Sequence, residues 1–417
     1  MKHLMRTTVL AGLLAPGAVL AQEEQTTLNW ALWDANAVAY IQPLIDGYEA
    51  AHPDVTIEVT DLGSADYNQM LMTQLTGNNA DIDVVTIKDI PGYAQLVSTS
   101  SLVDLSDAYE EPIDAAPFGG LIEAMTVDGG LYGLPFRADF WILYYNKDLF
   151  DAAGVDYPTN DMTWADHDEM ARALTSGFGA NKVYGSHLHT WRSTVQLPGI
   201  LDGQNTLIAD DYTFLVPWYE RALALQDEGV IQSYAALKTS QTHYSGPFYN
   251  GSVAMLPMGS WFIGTQIDKV ASGESLATNW GIASFPHPEG VEAGTTAATI
   301  TSLGVNASAG DKEAALDFVR WVVSPEGAAI VAASGTLPAI RDDAVIDQIA
   351  GIDGFPEDET SRGALKTVQT YLELPVDLQA AEIELVLNRA HDNIMTENVS
   401  VEDGIAEMNE GVQDIRN

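Results

Sequence analysis

From Thr26 onward the chain alternates strand and helix signals, and that rhythm constrains the fold more than any other feature. "TTLNWALWD" reads as a strand. Val38, Ile41, Ile45 and Tyr48 then share one helical face ahead of Pro53. "VTIEV" alternates as a half-buried strand, "YNQMLMTQLTG" is a helix stopped by Gly77, and "DIDVVTI" is a strand again. Such a succession predicts an α/β domain with a mainly parallel sheet.

The pattern resumes near Arg137. "FWILYYN" and "GSVAMLPM" read as strands, and "TWADHDEMARAL" as a helix whose Thr163 and Asp166 form a capping box. "TFLVPWYERALALQDEG" supplies a further helix. In "DKEAALDFVRWVV", Ala315, Phe318, Val319 and Val322 fall on one face, and "SPEG" restarts a helix with Ser324 as N-cap and Pro325 in its first turn. The tail from Leu378 is helical and amphipathic. At 417 residues, the chain is long enough for two domains with full cores.

The N-terminus, "MKHLMRTTVLAGLLAPGAVLAQEEQ", places Lys2 and Arg6 before a short apolar stretch and a small-residue cleavage site, which predicts a signal peptide over residues 1–21. No later segment has the roughly 18 unbroken apolar residues of a membrane span. Cysteine is absent, which excludes a disulfide scaffold, a thiol nucleophile and a lipid-anchored cysteine. An exported periplasmic protein without a lipid anchor is expected. With 18 Lys and Arg against 59 Asp and Glu, the net charge is −41. Nucleic acid and anionic membranes are poor partners for such a surface.

The common catalytic signatures are missing. Gly is never followed by Lys as in a phosphate loop, His is never followed by Glu as in a zinc helix, and no Gly-x-Ser-x-Gly elbow occurs. "DID" at Asp81 to Asp83 lacks the glycine and distal Glu of a calcium loop. "SHLHTW" puts His187 and His189 two residues apart, a metal-compatible spacing without a third ligand. Neither a metal nor another cofactor is expected.

Several segments match one family in the same order: "LNWALWD", "DIDVVTIKDIPGYAQL", "GGLYGLPFRADFWILYYNKDLF", "TWADHDEMARALT", "FYNGSVAMLPMGSWFIG", "LGVNASAGDKEAALDFVRWVVSPEGAAIV" and "ASGTLPA". In these the chain resembles the extracellular solute-binding proteins of carbohydrate ABC transporters, in the branch of maltose-binding protein. The resemblance implies a two-lobed α/β periplasmic binding fold (type II) that holds a sugar in the interlobe cleft and closes on it. It further implies a monomer that delivers ligand to the permease subunits and catalyses nothing. Lobe one would comprise 22–136 plus 288–337 and lobe two 137–287 plus 338–417, with crossings near Arg137, His287 and Pro338.

A pyranose offers apolar C–H faces and a rim of hydroxyls, so aromatic rings beside Asp, Asn, Arg or His on loops at strand ends are the physical signature of its site. Trp261 fits as a stacking face, with Ser260 beside it and Gly259 freeing the backbone to approach a ligand. His187, His189 and Trp191 lie in a segment that supplies cleft aromatics in the family. In "FRADFW", Arg137 and Asp139 are candidates near the first crossing, and alternation lets only one of Phe140 and Trp141 face the cleft. From the first lobe come Trp33, Asp34 and Asn36 after the first strand, Lys88 and Asp89 after the third, and Tyr67 before the second helix. Trp164 is expected to pack at a helix start. "HLHTWRSTVQLPGI" departs from the maltose branch, so sugar is a safer expectation than maltose. Two other readings stay open: a receptor for a polyol, compatible solute or polyamine, and a secreted glycoside-active enzyme with carboxylates opposed across the cleft.

Overall fold

The computed structural model describes residues 25–35, 38–63, 67–77, 80–118, 120–340 and 343–417. The predicted signal segment and the Asn36 candidate lie outside the described residues. Among the described residues nine strands are formed: β1 (Thr26–Leu32), β2 (Val55–Asp61), β3 (Val84–Ile87), β4 (Leu134–Asn146), β5 (Tyr184–Ser186), β6 (Val253–Gly259), β7 (Trp280–Ser284), β8 (Thr295–Val305) and β9 (Gln369–Leu372). They follow the order β2-β1-β3-β8-β4-β6-β5, with β7 on β4 and β9 on β8.

The sheet is mixed rather than mainly parallel. β1 pairs parallel with β2 and β3, as the βαβ rhythm requires, but β8 runs antiparallel to both β3 and β4, and β6 and β7 run antiparallel to β4. The reason lies in two long strands, β4 and β8, each of which threads three cores. Leu134, Phe136 and Ala138 of β4 belong to a first core built from the N-terminal strands and helices, whereas Phe140 and Trp141 enter separate cores beyond it. In β8, Ile300, Leu303 and Val305 join the first core, while Ala297 and Ala298 pack with the other two. The start of β8, expected with the first core, thus packs with the others.

Local signals are realised as read. Thr163 and Asp166 close a reciprocal capping box on the helix Trp164–Leu174. Ser324 caps Pro325–Ala333, and the apolar face of Lys312–Val322 is buried. The strand β6 runs through Pro257 to Gly259. Its neighbour β5 reaches only to Met255, so a residue without an N–H is tolerated beyond that point. Among the described residues no helix is long and apolar enough to cross a membrane.

Candidate functional site

The first wall is built at the carboxyl ends of β1 and β3. After Leu32 the chain turns at Asp34, which adopts a left-handed φ of 50°. The Asp61 carboxylate pins this turn by accepting from the N–H groups of Gly63, Asp34 and Ala35 at 2.9, 3.0 and 2.9 Å, and these bonds hold its carboxyl below the usual range. Trp33 rests edge-on against Tyr67, with ring centroids 4.9 Å apart, and the Lys88 ammonium lies 5.5 Å from the Trp33 ring. Tyr67 is not a wall residue. It is 1% exposed and its hydroxyl donates to the carbonyls of Thr86 and Ala31 at 2.6 and 3.2 Å, so it supports Trp33 from beneath.

Asp89 is the N-cap of the helix Ile90–Ser98. It accepts from Gly92 N–H at 2.8 Å and from Asn68 Nδ2 at 3.0 and 3.1 Å. The approach at Gly92 is close: a Cβ there would lie 3.0 Å from both Asp89 and Asn68, and those side chains would have to give by a few tenths of an ångström. Burial pushes the Asp89 carboxyl up to about 6, and Glu384 adds to the shift. Burial also lowers the Lys88 ammonium, against the pull of Asp89 and Asp34.

At the junction of the walls stands Arg137. Its Nη2 donates to Thr301 Oγ1 at 3.3 Å and lies 3.8 Å from the Asp139 carboxylate, with the guanidinium 5.5 Å from the Tyr40 ring. Asp139 is 1% exposed and accepts from Ser260 Oγ at 2.9 Å, and Ser260 is wholly buried. Asp139 and Ser260 therefore brace β4 against the turn after β6 instead of facing the opening. Trp141 is also buried: in the strand, Phe140 and Trp141 point into different cores, and Trp141 lies behind Trp261.

The second wall is aromatic. Trp261, half-buried, meets Trp141 edge-on at 5.9 Å and Trp191 at 6.2 Å. Trp191 is 40% exposed and continues the surface to Tyr244 at 5.5 Å and to His189, edge-on at 4.7 Å. Gly259 has another purpose than the expected one. The Trp261 ring folds back over it, and a Cβ there would lie 1.9 Å from the indole Cζ3. The glycine leaves room for the tryptophan ring. Trp164 packs in the second core as expected.

Beneath Trp191, His187 Nδ1 bonds Gln232 Oε1 at 2.9 Å, while His187 Nε2 and His189 Nδ1 are buried without a partner. Burial holds the two rings neutral by lowering their pKa to about 4 and about 3. Two lone polar atoms under an aromatic face suit a hydroxyl or a water better than an ion. Among the described residues no group of three or more His, Asp or Glu is placed to hold a metal.

The sequence reading missed a charged cluster at the floor of this wall. Arg192 is 3% exposed, and its Nη2 lies 2.9 Å from Glu384 and 3.8 Å from Glu373. Ser193 Oγ donates to Glu373, whose carboxyl burial raises. Glu384 sits on the helix Ala380–Met395, which packs against Ile90–Ser98 of the first wall. His243 and Tyr244 were also missed. Burial lowers the pKa of His243, and Asp34 of the opposite wall is close enough to oppose that shift in part. The pair "HY" ahead of "SGPFYN" was a usable signal, whereas nothing local marked Glu373 or Glu384.

Comparison with known proteins fits this geometry. A sugar transporter protein from Rhizobium etli, solved in an open conformation, is 61% identical and superposes with a TM-score of 0.81 over 93% of this chain and 99% of that one. An ABC substrate-binding protein from Listeria monocytogenes in complex with cycloalternan shares the fold, with a TM-score of 0.79 at 22% identity over 94% of this chain and 98% of that one. The lactose-binding protein of Rhizobium radiobacter is 26% identical over 304 residues, covering 70% of this chain and 69% of that protein. Residues 34–329 match the family of bacterial extracellular solute-binding proteins, and the chain belongs to it.

Proposed function

We propose that this protein is the capture subunit of a carbohydrate ABC importer, holding a small sugar between two lobes and presenting it to the membrane permease from the periplasm. The carrying observation is the continuous aromatic surface of Trp261, Trp191 and Tyr244, set opposite Trp33 and Lys88. Rings of this kind cover the C–H face of a pyranose, and the polar groups between them meet its hydroxyl rim. His189, Asp34, Asp89 and Glu384 are the rim candidates, with Arg137, Asp139, Arg192 and Glu373 holding the junction and the floor. The lobes divide within β4 and β8, and the ligand draws them together by contacting both walls only when they are closed. A 61% identical relative that superposes at only 0.81 in its open form supports two similar lobes at a different opening.

The family is one of receptors, and the site supports the same conclusion against a glycoside-active enzyme. Both oxygens of Asp89 already accept hydrogen bonds, and Glu384 is held by Arg192, so neither carboxylate is placed as an available acid or nucleophile. A thermal-shift panel of mono-, di- and trisaccharides, sugar alcohols and polyamines tests the reading, since a ligand of the native state raises the melting temperature. A shift with one sugar class, without turnover, supports it. A response to polyamines or polyols alone, or product formation, overturns it.

A further inference from the structure

Two ring nitrogens under the aromatic wall have no hydrogen-bond partner among the described residues and are closed to solvent: Nε2 of His187 and Nδ1 of His189. His187 leaves the end of β5 wholly buried, and its main-chain N–H still donates to the Met255 carbonyl of β6 at 2.9 Å. His189 is 8% exposed and lies edge-on to Trp191 at 4.7 Å and to Tyr244 at 6.1 Å. An unpaired buried polar atom destabilises a fold, and two on neighbouring rings beneath a ligand-facing wall point to a group that pairs them on binding.

The chemistry of the pair narrows that group. His187 Nδ1 donates to Gln232 Oε1 at 2.9 Å, which leaves Nε2 a bare acceptor. Burial keeps both rings neutral, and His189 can carry its single ring proton on Nδ1 and donate from there. The ring centroids are 5.9 Å apart, a span that one oxygen covers with two hydrogen bonds of about 2.9 Å. A hydroxyl donates to one ring and accepts from the other. A carboxylate cannot donate, an ammonium cannot accept, and either would bring a charge into a buried place. Depth selects further. A hydroxyl borne directly by a sugar ring lying on the aromatic surface stays near that surface, whereas an exocyclic hydroxymethyl arm reaches one carbon deeper.

We propose that His187 and His189 together bind the hydroxymethyl arm of a neutral hexose unit, which enters along the edge of Trp191, and that this contact sets the substrate class. The proposal deepens the sugar reading above and rests on it. The arm's O–H donates to His187 Nε2 and its oxygen accepts from His189 Nδ1–H, so both atoms are paired in the complex. Pentoses lack the arm, deoxyhexoses with a methyl arm lack its oxygen, and hexuronates replace it with a carboxylate.

Calorimetry on the mature protein tests this. Mono- and disaccharides of glucose, galactose and mannose are titrated first, and each that binds is compared with its pentose, methyl-arm and uronate counterparts at every ring. One methyl-arm counterpart should bind about 10- to 100-fold more weakly than the parent sugar, the loss expected from two hydrogen bonds, and the matching uronate more weakly still. His189→Phe keeps a ring between Trp191 and Tyr244 without a nitrogen to offer. It should bind the hexose more weakly and narrow its advantage over the methyl-arm sugar. Equal affinities of the parent protein for the hexose and methyl-arm sugars, preference for a uronate, or discrimination that survives intact in His189→Phe would overturn the proposal and leave the sugar reading standing. If no sugar binds, both fall. The comparison among sugars needs no variant, so it decides the matter even where His189→Phe fails to fold.

Discussion

Alanine at Gly259 tests the most specific piece of packing in the aromatic wall. Its Cβ would lie 1.9 Å from Cζ3 of Trp261 and 2.2 Å from both Cε3 and Cη2, against an ordinary carbon contact of about 3.5–4.0 Å. No rotamer adjustment absorbs such an overlap, so the indole has to leave its place. Its displacement forfeits the edge contact to Trp141, about 0.5–1.5 kcal/mol, and the crowding that remains brings the total for Gly259→Ala to about 1–3 kcal/mol. The backbone itself raises no objection, because Gly259 is in regular strand and is not among the residues with positive φ. In a Trp261→Ala background the alanine should then be neutral, or stabilise by about 0.4–1 kcal/mol through the unfolded chain. A double-mutant cycle in urea should therefore return a coupling of about 1–3 kcal/mol. Equal costs of Gly259→Ala in both backgrounds would refute the reasoning.

Four further outcomes are expected. Trp191→Ala, at a position 40% exposed, should weaken sugar binding by about 1–3 kcal/mol in calorimetry without changing the melting temperature of the free protein; unchanged affinity removes Trp191 from the site. Arg192→Met should cost about 3–5 kcal/mol in chemical denaturation, because it leaves Glu373 and Glu384 without their shared cation; a loss below 1 kcal/mol means the cluster is open to water. His187, His189 and His391 titrate at about 4, 3 and 3, below the unfolded value near 6.5. Their contribution is complete above pH 6.5 and is lost as pH falls toward those values, so the urea midpoint should drop over that window and His187→Asn should flatten the slope. Scattering should show compaction on binding a tight ligand, and an unchanged radius of gyration would argue against lobe closure.

What could be read in advance followed from local physics. The capping box at Thr163, the Ser324-Pro325 helix start and the buried stripe of Lys312–Val322 depend on a few neighbouring residues, and each is where the pattern put it. Trp191 and Trp261, singled out as large rings beside chain turns, do stand side by side. The errors came from long-range context. Asp139, Ser260 and Tyr67 carry polar groups suited to a sugar, yet partners 121 residues apart in the Asp139–Ser260 bond, and carbonyls 19 and 36 residues away for Tyr67, turn them inward. Glu373 and Glu384 acquire their meaning from Arg192, 192 residues from Glu384, and no local pattern predicts that meeting. Parallel pairing was overestimated for the same reason, since the antiparallel partners of β3 and β4 lie in β6, β7 and β8, far along the chain.

The place of β8 has a consequence for how the molecule is made. It lies between β3 and β4, so the sheet of the first core has a gap at its centre until residue 305 has been synthesised. A nascent chain ending before β8 exposes the pairing edges of β3 and β4 together, and such unpaired edges invite misassociation. The N-terminal half is thus not an autonomous folding unit, although it comes first in sequence. Closing the sheet requires contacts of large sequence separation, which are slow to form. The chain should remain unfolded, and able to be threaded or captured by a chaperone, for longer than its length alone would suggest.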